Sequence, residues 1–198
     1  MAFYHVAKWI VKGFTPLLYK VEVSGTEHIP EGGGFILCSN HISNYDPIFI
    51  GMQTKQRLYF MAKEELFKFP PLAWLMRTLG AFPVARGKGD MGAVDHAIDV
   101  VKGGNVLGIF PEGNCSADGK LLKLKSGVMV IAAETGGDLL PCAIKKGGRS
   151  LWRRRIYLRF GEMIPHEKLG IEGHVLSQIK AANHMLYHTL SSLLEEIS

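Results

Sequence analysis

From residue 20 onward, short apolar runs alternate regularly with longer amphipathic stretches, and this rhythm constrains the fold more than anything else in the chain. The runs at 35–38, 58–61, 81–84, 106–110 and 139–144 carry almost no polar residues, the pattern of strands buried on both faces of a parallel sheet. Between them lie segments with helical character: 46–53, with Pro47 suited to a first turn, then 71–79, 91–101 and 126–134. A long final helix is expected over 174–197, with Leu176, Ile179, Leu186, Leu190, Leu193 and Leu194 facing inward. A last strand over 155–160 should pair back through a Gly147-Gly148 turn. Strands alternating with helices predict an α/β fold: a single domain with a largely parallel, mixed sheet flanked by helices. The length of 198 residues suits one domain, and no linker or internal repeat divides it.

The first twenty residues follow a different rule. Phe3, Val6, Ala7, Ile10, Val11 and Phe14 share one helical face, Lys8 and Lys12 lie elsewhere, and Pro16 should break or kink the helix. Such a helix either packs on the core or lies in a lipid interface with its lysines on anionic headgroups. Residues 1–19 are taken as an amphipathic membrane-associating helix and 20–198 as the domain proper. No run of 18 uncharged apolar residues occurs and no small-residue cleavage site follows the first stretch, so neither a spanning helix nor a secretory leader is expected. The three cysteines, Cys38, Cys115 and Cys142, lack paired spacing, which argues for reduced thiols over disulfides or zinc. A net charge of +5 suits an anionic partner: a phosphate, a phospholipid surface, an acidic carrier protein or a nucleic acid. Nucleic acid is the weakest of these. Lys145-Lys146 and Arg153-Arg154-Arg155 come with no recognition motif and read better as a solvated hairpin edge guarded by charge.

Chemistry concentrates where strands should end. His41 follows the first run, at the carboxyl edge where open α/β sheets place their ligands. An imidazole there can take a proton from an alcohol, and Asp46, five residues on, can fold back onto the other ring nitrogen to fix the tautomer. The blander alternative is that His41 stabilises a loop and Asp46 caps the next helix. Phe110-Pro-Glu-Gly113 ends the fourth run, so Glu112 should stand at the same edge, holding acceptor hydroxyls or bonding amides of its own loop. Arg86, beyond the third run, offers a fork suited to phosphate, with a surface ion pair as its ordinary alternative. Lys63, after the second run, adds charge in the same way. Hydrolysis through Cys115 or Ser116 is disfavoured because no Gly-x-Ser-x-Gly elbow is present.

Taken in order, these blocks resemble the glycerolipid acyltransferase family, whose best-known members are 1-acylglycerol-3-phosphate acyltransferases. Asn40-His41 to Asp46-Pro47 is similar to its His-x4-Asp block, Gly80 to Arg86 to its second block, Phe110 to Gly113 to its third and Leu140-Pro-Cys-Ala143 to its fourth. The likeness runs from about residue 20 to 165. It implies that His41 is the general base and Asp46 its partner, that Arg86, Glu112 and Gly113 bind the glycerol phosphate of a lysophospholipid, and that Pro141 shapes the acyl-donor side. It implies an acyl thioester donor, on coenzyme A or acyl carrier protein, with no metal and no further cofactor. It also implies peripheral work at the cytoplasmic face of a membrane, with 66–76 as a lipid-facing or acyl-chain surface unless that stretch is core. A non-catalytic membrane-binding relative is the other outcome, disfavoured by the intact His41, Asp46 and Glu112. One departure stands out. The family often follows its third block with Thr-Arg-Ser or Asn-Arg-Ser, but here it is Asn114-Cys115-Ser116. Either Lys120, Lys123 or Lys125 replaces the arginine, or the acceptor is a different lysolipid.

Overall fold

The computed structural model describes residues 2–85, 91–150 and 152–197. In chain order its elements are helix α1 (Ala2–Leu18), strands β1 (Tyr19–Ser24) and β2 (Ile36–Ser39), α2 (Asp46–Gly51), β3 (Leu58–Lys63), α3 (Pro70–Thr78), β4 (Ala81–Val84), α4 (Met91–Lys102), β5 (Val106–Ile109), α5 (Gly127–Thr135), β6 (Leu139–Ser150), β7 (Arg153–Phe160), α6 (His166–Leu169) and α7 (Leu176–Glu195). The strands form one sheet in the order β1-β7-β6-β2-β5-β3-β4. β2 through β6 are mutually parallel, as the alternating runs predict.

β2 shows why its run carries no polar residue. Ile36 and Cys38 join the layer made by α4, α5 and α7, while Leu37 joins the opposite layer with Phe49 and Ile50 of α2. Both faces of the strand are covered. Ile179, Leu186, Leu190 and Leu193 of α7 are buried as expected, but Leu176, in the helix's opening turn, is 73% exposed. Burial lifts the Cys38 and Cys142 thiols well above the ordinary range and keeps them protonated, whereas Cys115 is exposed.

Three expectations are corrected. α1 continues through Pro16 to Leu18 instead of breaking there. Gly147 and Gly148 are not the hairpin turn. They form an irregularity inside β6, between Lys146 and Arg149, and the chain reverses between Ser150 and Arg153. A Cβ on Gly147 would stand 2.4 Å from the Tyr157 ring, so this position takes glycine for packing rather than for a turn. Nor is the Arg153–Arg155 strand a free edge. β1 pairs with it in parallel, Tyr19 opposite Arg154 and Val21 opposite Ile156. The strand alternation of Tyr19, Val21 and Val23 with Lys20, Glu22 and Ser24 is what drives that pairing.

This added strand has a positional consequence. β7 runs antiparallel to β6, and β1 parallel to β7, so both begin at the edge where β2, β3, β4 and β5 end. The last turn of α1 and the β6–β7 turn therefore stand at the carboxyl edge of the parallel strands.

Candidate active site

The site is built around the point where β2 stops. Asn40 ends the strand by imitating it. Its side-chain amide donates to Ile144 O (2.9 Å) and accepts from Ile144 N–H (2.8 Å), replacing one step of the β2–β6 ladder and freeing the main chain to turn away at His41. The following loop closes on Asp46, the first residue of α2. One carboxylate oxygen, Oδ2, accepts from Ile42 N–H (2.7 Å), Ser43 N–H (2.8 Å) and His41 Nδ1 (2.8 Å). Asp46 is fully buried, and its Oδ1 has no hydrogen-bond partner among the described residues. The Lys146 ammonium donates to Ile42 O (2.7 Å) from the far side of the loop.

With Nδ1–H donated to Asp46, the His41 proton sits on Nδ1 and Nε2 presents its lone pair. The ring is stacked on Phe110, centroids 4.1 Å apart and planes 17° apart, and Phe110 stacks in turn on Phe60. One nitrogen and one face are thus committed, which leaves Nε2 as the nitrogen available for chemistry.

β5 ends beside β2, and the turn after it delivers Glu112. Its Oε1 accepts from the backbone N–H of His41 (2.8 Å) and its Oε2 from Leu122 N–H (2.9 Å), while Ser116 N–H donates to His41 O (2.7 Å). The 111–122 loop therefore grips both backbone polar groups of His41. Gly113 turns this corner at φ +70°, a left-handed conformation that suits glycine. A Cβ there would come within 2.6 Å of the Lys125 ammonium, which lies over the turn. Lys125 is held by its own N–H to Pro111 O (2.8 Å).

Of the residues singled out in the sequence, His41, Asp46, Glu112 and Gly113 come together. Lys63 ends β3, separated from β2 by β5, and pairs with Glu65 at 3.2 Å on the surface. Arg86 lies outside the described residues. Pro141 is buried in β6 opposite Cys38, with Gly161 against it. Asn40, Phe110 and Lys146 carry structural duties that sequence reading missed. Only Asn40 left a signal, as an amide-bearing residue at a strand's last step.

Burial lifts the Glu112 carboxyl above the ordinary glutamate range, although the His41 and Leu122 amides and the nearby imidazole pull the other way. Between the ordinary and the lifted pKa, the folded protein keeps a proton that the unfolded chain has released. This contribution is therefore full below the ordinary value and is lost as pH rises through the folded one. Urea midpoints across the acid range should show native protein losing stability relative to Glu112→Gln as pH rises. A relative gain would mean that the two amide bonds outweigh burial.

A family model described as Acyltransferase matches residues 20–145. The chain is 31% identical over 134 residues to the chloroplastic 1-acyl-sn-glycerol-3-phosphate acyltransferase BAT2 of Brassica napus, covering 66% of this chain but only 39% of that protein. It is 29% identical over 146 residues to the 1-acyl-sn-glycerol-3-phosphate acyltransferase of Bacillus subtilis, covering 72% of each. The crystal structure of the 1-acyl-sn-glycerophosphate acyltransferase PlsC from Thermotoga maritima superposes with a TM-score of 0.77 at 26% identity, over 98% of this chain and 80% of that one.

Proposed function

Because the chain belongs to the acyltransferase family, we propose that it transfers a fatty acyl group from an acyl thioester to the free hydroxyl of 1-acylglycerol 3-phosphate, yielding phosphatidic acid at a membrane surface. The observation that carries this reading is the 2.8 Å bond from His41 Nδ1 to the buried Asp46, which leaves Nε2 as a base at the carboxyl edge. Nε2 takes the proton of the acceptor hydroxyl as its oxygen attacks the thioester carbonyl. A C–O bond forms, the tetrahedral centre collapses, the C–S bond breaks, and the leaving thiolate recovers the proton from the imidazolium. Asp46 stabilises that imidazolium. Glu112, which the resemblance assigns to the glycerol phosphate, has both oxygens taken by the His41 and Leu122 amides, so it acts here as a positioning residue that holds His41 by its backbone. The donor is acyl-coenzyme A or acyl carrier protein, and the chemistry calls for no metal or other cofactor. Arg86 and Gly113 serve the acceptor phosphate, and Lys63 adds positive charge on that side.

Lipid acceptors reside in membranes, and the carboxyl edge is suited to meet one from the cytoplasmic face as a peripheral protein. Tyr45 and Ile48 after β2, Leu66 and Phe69 after β3, Met91 after β4, Trp152 after β6, and Phe14, Leu17 and Leu18 at the end of α1 are all large, apolar and exposed. The 66–76 stretch is not core: α3 and the turn before it bury no residue, and Trp74 is 58% exposed. Tyr4, Lys8 and Thr15 of α1 bond to Gln56 O, Thr54 O and Met52 Sδ, so its polar face is turned to the domain. No helix among the described residues is long and apolar enough to cross a membrane.

Asn114-Cys115-Ser116 favours a second reading, in which the acceptor is another lysolipid. Lys125, over the Gly113 turn, decides between them. If its ammonium stands in for the missing arginine, Lys125→Met should raise KM for 1-acylglycerol 3-phosphate about tenfold or more, the value of one charged hydrogen bond. kcat should stay within a few-fold, and a lysolipid lacking the phosphate should show no change. A mass-spectrometric panel of lysolipids with both thioester donors tests the assignment itself. Turnover confined to acceptors without a glycerol phosphate would overturn it.

A further inference from the structure

Beside α1, reaching the edge where β1 and β7 begin, lies a cleft of about 300 Å³ bordered by Lys12, Lys20 and Arg153, with Tyr19, Gln53 and Met52 among its walls. We propose that this cleft binds the phosphate of an anionic phospholipid that is not a substrate, and so sets the enzyme's catalytic edge against the membrane. The inference deepens the membrane-surface reading above and rests on it.

The charge argument is local. Three cations border the cleft, no acid is among the described residues that line it, and Lys20 pairs with Glu22 at 3.0 Å. Lys12 is exposed and makes no ion pair among the described residues. Arg153 spends one Nη–H on Pro16 O at 3.4 Å and its Nε is sealed from solvent, so what it offers the cleft is its remaining Nη–H groups. A net positive concavity with uncommitted donors is a phosphate-binding arrangement. Four chain segments build it: the second half of α1, β1, Met52 and Gln53 after α2, and the start of β7. The pairing of β1 with β7 holds them in place.

The setting points to a lipid phosphate rather than a free one. Leu18 and Trp152 adjoin the cleft residues Tyr19 and Arg153 in the chain, Phe14 and Leu17 line a separate depression on α1 with Trp9 and Gly13, and all of these large side chains are at least half exposed. A phosphate seated there would hang from a headgroup while these side chains enter the acyl boundary below it. An amphipathic helix alone leaves the tilt of the domain on the membrane largely free. A headgroup contact across α1 and β7 adds a second point of attachment that limits this tilt and holds the carboxyl edge toward the lipid.

Flotation tests this with vesicles of phosphatidylcholine alone and of phosphatidylcholine mixed equally with phosphatidylglycerol. Native protein should favour the anionic vesicles, and Lys12→Gln and Arg153→Gln should each lower that partitioning about fivefold, the effect of one basic residue near such a surface. Arg153→Lys should retain most of it. Turnover of detergent-dispersed acceptor should not change in either variant. Removing Lys168 and Lys180, exposed near the opposite edge, should have little effect. If that pair costs as much as Lys12 with Arg153, only net charge is being sensed and the proposal fails. If millimolar inorganic phosphate abolishes the anionic preference, the cleft prefers the free ion and the lipid assignment fails. Native protein that binds neither vesicle would instead overturn the membrane-surface reading itself.

Discussion

Replacing His41 with alanine should lower kcat about a thousandfold, the typical contribution of a positioned general base, and leave KM for both substrates within a few-fold. The argument is geometric. Nδ1 is committed to Asp46 and one ring face to Phe110, so the side chain is held with Nε2 as its reactive atom. No other histidine is joined to Asp46 or to the Glu112 turn in the described structure. The fold should survive, because the backbone bonds that shape the loop belong to the main chain of residue 41 and to Asp46. Glu112 and Ser116 still grip N–H and C=O, and Ile42 and Ser43 still donate to Oδ2. Thermal unfolding close to native with turnover lost is the expected pair of results. The space left by the ring should admit imidazole, so added imidazole should restore part of kcat. Normal turnover in His41→Ala would remove the histidine from the mechanism and return it to loop stabilisation.

Much of this site was legible because its chemistry is local in sequence. His41 and Asp46 belong to one loop, and the loop's spacing alone lets a carboxylate at the helix start reach back to the imidazole. Glu112 was legible because Pro111 and Gly113 mark a turn at the end of an apolar run. What it touches was not, since the His41 amide lies 71 residues away and only the β2–β5 pairing brings the two together. Asn40 was quoted as part of a block, yet its work is a backbone imitation that depends on Ile144 standing opposite. β1 was hidden for another reason. Its alternation is clear, but it follows a helical pattern without a turn signal, and its partner β7 lies more than a hundred residues on. Taking Gly147-Gly148 as a turn followed a sound rule that packing overrode, because the Tyr157 ring needs the space a side chain would fill. The choice among Lys120, Lys123 and Lys125 could not be made from spacing, whereas the 111–125 loop folds Lys125 back over Gly113.

Asp46→Asn should lower kcat about a hundredfold to a thousandfold while keeping the loop intact, and it separates two roles the carboxylate holds at once. Oδ2 is the acceptor for Ile42 N–H, Ser43 N–H and His41 Nδ1–H, and the amide oxygen of asparagine can take all three at the same place. The His41 tautomer is then preserved, with Nε2 still unprotonated. The asparagine NH2 would fall where Oδ1 now stands buried without a partner, at a cost of about 1–3 kcal/mol for the unsatisfied donors. What disappears is the negative charge opposite the imidazolium, and that charge matters only once His41 has taken the proton. The loss should therefore appear in kcat, with KM for acceptor and donor little changed. Asp46→Ala should behave differently. It strips the loop of three hydrogen bonds, so it should lose stability and KM along with kcat. If Asp46→Asn matched native turnover, Asp46 would be no more than the loop's anchor, and the imidazolium would draw its stabilisation from elsewhere.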